Sequence, residues 1–202
     1  MKLRSSVNLM LAAVILPLTG CDFPLAGKFR SQLQQPEHFF HFTRGADGCT
    51  LRFLEPMIPR ASLPALGIGG INAGPGDASV PYGLSVNDAS ERAAKVTFRF
   101  AGDSLESVIL PPLLFELLGP ANLEGILRVA GGADMTGWKM NPITPVKVQA
   151  VLSAAGFTYD PQAESVVVKL RSTAPDARSL VVTLKHAAPA ADYKDINLSF
   201  RK

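Results

Sequence analysis

The chain has 202 residues, with 20 Lys or Arg against 17 Asp or Glu and a formal charge of +3. That size fits one domain with a real core. The near balance of charge, without any Lys/Arg cluster, argues against a nucleic-acid surface, where phosphate contacts need concentrated positive charge, and against a polybasic patch for anionic lipid heads.

Lys2 and Arg4 open a short positive leader, the uncharged apolar run Leu9 to Leu18 follows, and the small residues Thr19 and Gly20 lead into Cys21. Positive leader, short apolar stretch and small-residue cleavage site define a secretory signal. The run falls short of the about 20 residues that a membrane-spanning helix needs. Leu18-Thr19-Gly20-Cys21 resembles the lipobox of bacterial lipoproteins, a resemblance confined to Met1 to Cys21. It implies a diacylglyceryl group on the Cys21 sulfur, loss of residues 1–20 and an acylated mature N-terminus, with palmitate-type chains. Each buried CH₂ contributes about 0.8 kcal/mol of membrane affinity, and two or more chains anchor stably. Losing Lys2 and Arg4 with the leader lowers the formal charge from +3 to +1. The expected place is a bacterial cell membrane, facing the periplasm. Asp22 beside the lipidated cysteine favours the inner membrane, as in enterobacteria-like lipoproteins, and the outer membrane stays open. Cys49 is then the single remaining cysteine, so no disulfide forms within one mature chain.

Residues 21–36 read as a lipidated tether, and 37–202 as a single β-rich domain. His38-Phe39-Phe40-His41-Phe42-Thr43 and Cys49-Thr50-Leu51-Arg52-Phe53-Leu54 flank Gly45-Ala46-Asp47-Gly48. Asp-Gly between aromatic or β-branched runs predicts a hairpin. From about Pro56 to Asn87 a long loop is expected, punctuated by Pro56, Pro59, Pro64, Pro75 and Pro81 and by six glycines. Loops of such length tend to be functional or disordered, and disorder goes with low hydrophobicity and high charge. This one is apolar, with Leu66, Ile68 and Ile71 among its residues and only Arg60 and Asp77 charged. It is expected to cover an apolar surface of its own domain, or to touch a partner or membrane.

Val96, Phe98 and Phe100 alternate with Thr97 and Arg99, predicting a strand with one face inward. Val108 to Gly119 breaks this style. Pro111 and Pro112 suit a helix start and Gly119 a helix end, with a second short helix over about Ala121 to Val129. Glu116 is the only charge of the first helix and is expected to snorkel to water. A helix apolar on nearly every side must be covered by protein, lipid or ligand. Leu110, Leu113, Leu114, Phe115, Leu117 and Leu118 of this segment, with Leu66, Ile68 and Ile71 of the loop, are therefore the candidate surface for an apolar ligand or partner. Trp138 follows a turn-like stretch and suits a core place, a sugar or a partner.

Alternation returns at Val146-Val148-Ala150, at Val166-Val168-Leu170, at Leu180-Val182-Leu184 and at Ile196-Leu198-Phe200, predicting four more strands. The short gap Ser172 to Ala177 suits antiparallel neighbours. The fold class expected is mainly β, an antiparallel sandwich or open barrel with one or two short helices; helices on one antiparallel sheet is the alternative.

Chemistry is sparse. His38-x-x-His41 would suit a metal on a helix, but a strand sends residues three apart to opposite faces. His186 is expected at a strand end in solvent. The glycines of Gly67-Ile68-Gly69-Gly70 lack the Gly-Lys-Ser/Thr ending and the helix of a phosphate loop. No Gly-x-Ser-x-Gly elbow occurs. No cofactor, metal or catalytic residue is therefore assigned. The expected function is a membrane-anchored envelope lipoprotein, non-catalytic, binding a protein partner or a lipid-like ligand in envelope assembly or transport. A hydrolase with a spatially assembled site and a purely structural lipoprotein are the alternatives.

Overall fold

Eight antiparallel strands form one sheet, curled into a half-barrel, in the computed structural model of the chain. It describes residues 32, 34–46, 48–55, 58–64, 70–71, 74–131, 133–134, 136, 139–173 and 179–201. The strands are β1 (Phe40–Gly45), β2 (Gly48–Phe53), β3 (Ala78–Val86), β4 (Arg92–Ala101), β5 (Ser104–Leu110), β6 (Ser165–Ser172), β7 (Ser179–His186) and β8 (Tyr193–Arg201), in spatial order β1-β2-β5-β4-β3-β6-β7-β8. Three α-helices with full ranges among the described residues accompany them: α1 (Pro112–Leu118), α2 (Pro120–Gly131) and α3 (Pro145–Ala154). The fold is mainly β, as the alternation predicts, with one helix more than expected.

Registers show how the alternation builds a single apolar face. Phe42 lies opposite Leu51, Leu51 opposite Val108, and Val108 opposite Phe98. On the other half, Leu84 lies opposite Leu170, and Leu170 opposite Leu180. Cross-strand neighbours of this kind are the unit of sheet stability. The intervening residues make a polar outer face. There Ser79 and Thr97 share a 2.9 Å hydrogen bond, and Arg52 meets Glu106 at 3.0 Å.

The predicted hairpin is present, from Phe40 opposite Phe53 to Gly45 opposite Gly48. Its first residues differ from expectation: His38 belongs to a 3-10 turn, Pro36–His38, ahead of the strand. The segment expected to be a loop to Asn87 instead ends in β3, which pairs with both β4 and β6. Pro81 and Gly83 masked this strand, because a proline argues against a central position. Here Pro81 sits one residue beyond the last β6 pair, Tyr82 opposite Ser172, so its missing N–H breaks no rung on that side.

Val146-Val148-Ala150 form no strand; they lie in α3. Thr144 caps the helix by accepting a hydrogen bond from the Lys147 amide at 3.2 Å, with Pro145 at the first helical position. Val148 and Leu152, one turn apart, are its buried face. Capping and the i, i+4 pair outweigh the period-two pattern. At its far end Gly156 turns the chain at φ +75, and Arg92 donates to the Gly156 carbonyl at 2.5 Å.

α1 begins and ends close to the predicted prolines and glycine, and Gly119 takes φ 78. Val108, Ile109 and Leu110, ahead of it, belong to β5, which the apolar run concealed. α1 packs on α2, α3 and β2. The buried leucines of these helices, the sheet's inner residues and Ile58 and Leu63 make one hydrophobic core.

Candidate functional site

The apolar residues singled out in sequence divide into three groups. Cys21, Leu66 and Ile68, like Trp138, lie outside the described residues. Leu113, Leu114, Leu117 and Leu118 are buried in the core, and Leu110 and Ile71 are half-buried against it. Phe115 is half-buried, its ring 6.5 Å from that of Phe42 on β1. The structure thus brings Leu110, Ile71 and the four leucines of α1 into one cluster between sheet and helices. Burial of a leucine side chain is worth about 1.5–3 kcal/mol, so these four leucines are what seats α1 against the sheet.

α1 is seated by Asn122 of α2, a residue that sequence reasoning passed over. Asn122 is 2% exposed and donates through Nδ2 to the Leu118 carbonyl at 2.9 Å and to the Asn141 carbonyl at 3.1 Å. Its Oδ1 accepts from the Asn141 amide at 2.8 Å. The end of α1 is tied in this way to the segment that enters α3. Ile143 in that segment exchanges two main-chain hydrogen bonds with Tyr193 at the start of β8. Tyr193 is wholly buried, and its hydroxyl lies 3.2 Å from that of Tyr159.

Glu116 does not simply snorkel to water. Its side chain is 29% exposed, and Arg44 of β1 places Nε 2.7 Å from Oε1. That oxygen is fully covered, yet it accepts no hydrogen bond of ordinary geometry among the described residues. The contact is therefore electrostatic, with the guanidinium poorly aligned as a donor. Half-buried Lys147 and buried Cys49 lie within electrostatic reach of the same carboxylate. Burial, and secondarily the Glu116 charge, push the Cys49 thiol up to about 11. Such a thiol stays protonated and is a poor nucleophile. Burial also lowers the Lys147 ammonium, with Glu116 opposing that shift.

The histidines are occupied differently from one another. His38 Nδ1 lies 3.2 Å from Gln35 Oε1, and His41 is exposed on β1. His186, expected in solvent, is half-buried. Its Nε2 lies 2.6 Å from the Ala163 carbonyl, Nδ1 faces the Ala188 carbonyl, and the ring stands edge-on to Tyr193 at 5.0 Å. None of these contacts joins a histidine to a serine hydroxyl or a carboxylate. Among the described residues no three His, Cys, Asp or Glu side chains converge to hold a metal ion, and no helix is long and apolar enough to cross a membrane. Compared with known proteins, the chain matches no family model, no curated protein and no solved structure.

Proposed function

We propose that this chain is a lipid-anchored envelope protein that works by binding, and that its ligand is an apolar, acyl-bearing molecule received between the curled sheet and its helical cover. One observation carries this reading. Among the described residues, the apolar face of the sheet packs against short helices and against Ile58, Leu63 and Ile71, and against no second sheet. Short elements that each bury a few side chains can open at lower cost than a packed sheet. A protein-docking patch is less favoured, because among the described residues Leu54 and Val146 are the exposed large hydrophobics and protein partners mark larger contiguous patches. The anchor at Cys21 rests on the lipobox-like Leu18-Thr19-Gly20-Cys21.

Native mass spectrometry of the chain purified from membranes tests the ligand. An acyl lipid retained in addition to the anchor, and displaceable by a fluorescent fatty acid, is expected. Absence of retained lipid together with no fatty-acid binding refutes the reading. For the anchor, Cys21→Ser is expected to abolish labelling by radioactive palmitate; undiminished labelling refutes it.

A further inference from the structure

We infer that Arg44, Lys147 and Glu116 form a headgroup-binding corner at the edge of the apolar core, complementary to an amphiphile whose head combines an anionic phosphate with an N–H donor. The inference rests on the apolar-ligand reading above and adds the class of ligand.

Three elements meet at this corner. Arg44 stands near the end of β1, in register opposite Cys49, and its alternation with Phe40 and Phe42 turns it to the side of the sheet that α1 covers. Glu116 comes from α1. Lys147 comes from the first turn of α3, with its ammonium 3.7 Å from the place a Cβ would take on Gly119. Phe42 and Phe115 border the corner with their rings, and the buried leucines of α1 lie behind it.

One cation pairs with the carboxylate at 2.7 Å and a second stands beside Gly119 at the end of the same helix, leaving a net positive charge at this corner. A simple structural ion pair explains little of this. Arg44 is 71% exposed, and exposed pairs add only slightly to stability. A pair needs neither the second cation nor a covered Glu116 Oε1 without a well-aligned donor. Buried acceptors in native proteins ordinarily have a partner. A phosphate answers the guanidinium and the ammonium, whose charge-assisted bonds to phosphate oxygens are strong. A donor on the same head answers the part of the Glu116 side chain that stays exposed. The acyl chain continues onto Phe42, Phe115 and the core.

Isothermal titration of the full chain carrying Cys21→Ser separates the possibilities. The probes are dihexanoyl phosphatidylethanolamine, with phosphate and ammonium donors; dihexanoyl phosphatidylcholine, with phosphate and no donor; dihexanoylglycerol, with neither; and inorganic phosphate. The ethanolamine lipid is expected to bind about fivefold tighter than the choline lipid, the size of one hydrogen bond. Arg44→Gln and Lys147→Gln should each weaken both phospholipids by a similar factor, and Glu116→Gln should erase the difference between them. All three substitutions fall on side chains with some exposure, and unchanged circular dichroism confirms folding. Equal binding of the two phospholipids and dihexanoylglycerol overturns the headgroup corner while leaving the apolar-ligand reading intact. Binding of no lipid overturns both. Displacement of the lipids by inorganic phosphate would make the corner a free-phosphate site and also overturn the inference.

Discussion

Glu91 reaches across β3 to Arg171 on β6, accepting hydrogen bonds from Nε at 2.5 Å and Nη2 at 2.6 Å. The passage is open because Gly83, between them, has no side chain: a Cβ there would stand 2.3 Å from a Glu91 carboxylate oxygen. The Arg171 hydrogen bonds hold the Glu91 carboxyl below its ordinary range. A depressed folded-state pKa means that this pair stabilises above the unfolded carboxyl pKa and that the contribution fades as pH falls through the folded value. Both side chains are well exposed, so a double-mutant cycle with Glu91→Gln and Arg171→Gln is expected to give only a small coupling that shrinks in high salt. Denaturant midpoints at neutral and acidic pH check this, and a coupling that grows on acidification contradicts it.

Gly48 is the least replaceable glycine of the hairpin. Its φ is +137, and a Cβ would lie 2.2 Å from the Leu110 carbonyl oxygen, a backbone atom that cannot rotate away. Gly48→Ala is expected to cost about 2–4 kcal/mol. Gly102→Ala is the control, with φ +61 and open space around it, and should cost about 1 kcal/mol. Urea midpoints compare the two, and equal losses would count against the steric explanation.

The Cys49 thiol offers a pH signature. Its folded pKa, pushed up to about 11 by burial and then by Glu116, lies above its ordinary value of 9.0. The folded state therefore holds its proton longer than the unfolded chain does, and stability falls as pH rises from 9 toward 11. Cys49→Ala should remove that part of the slope. In the native protein at neutral pH, iodoacetamide should modify Cys49 only at the rate of local or global opening, and fast modification would contradict its burial.

Asn122→Ala is expected to cost about 2–3 kcal/mol, because it strands the Leu118 carbonyl and both main-chain groups of Asn141. Amide exchange at Asn141 should rise in parallel. Exchange left unchanged would mean that the Asn122 contacts do not hold the segment.

Much of the sheet was legible in the chain because its strands carry one inward and one outward row. Val166 to Leu170 and Leu180 to Leu184 are plain cases, and their short separation implied the antiparallel pairing of β6 with β7. β3 was hidden by Pro81 and Gly83, and each has a local reason: one stands past the last β6 rung, the other lets Glu91 pass. α3 reads as a strand because Val146, Val148 and Ala150 alternate with Lys147 and Gln149, although Thr144-Pro145 also suits a helix start. Of the candidate site, the burial of the α1 leucines was readable from their crowding. The pairing of Arg44 with Glu116 was not, since the two come from β1 and α1 and lie far apart in sequence.

The Ile143–Tyr193 exchange ties the approach to α3 to the outermost strand. Without β8 the approach to α3 loses these two main-chain bonds and keeps the Asn122–Asn141 contacts and the packing of α1 on α3. The edge of the sheet and the helical cover are therefore joined at one point, so that loosening the start of β8 also loosens the entry to α3.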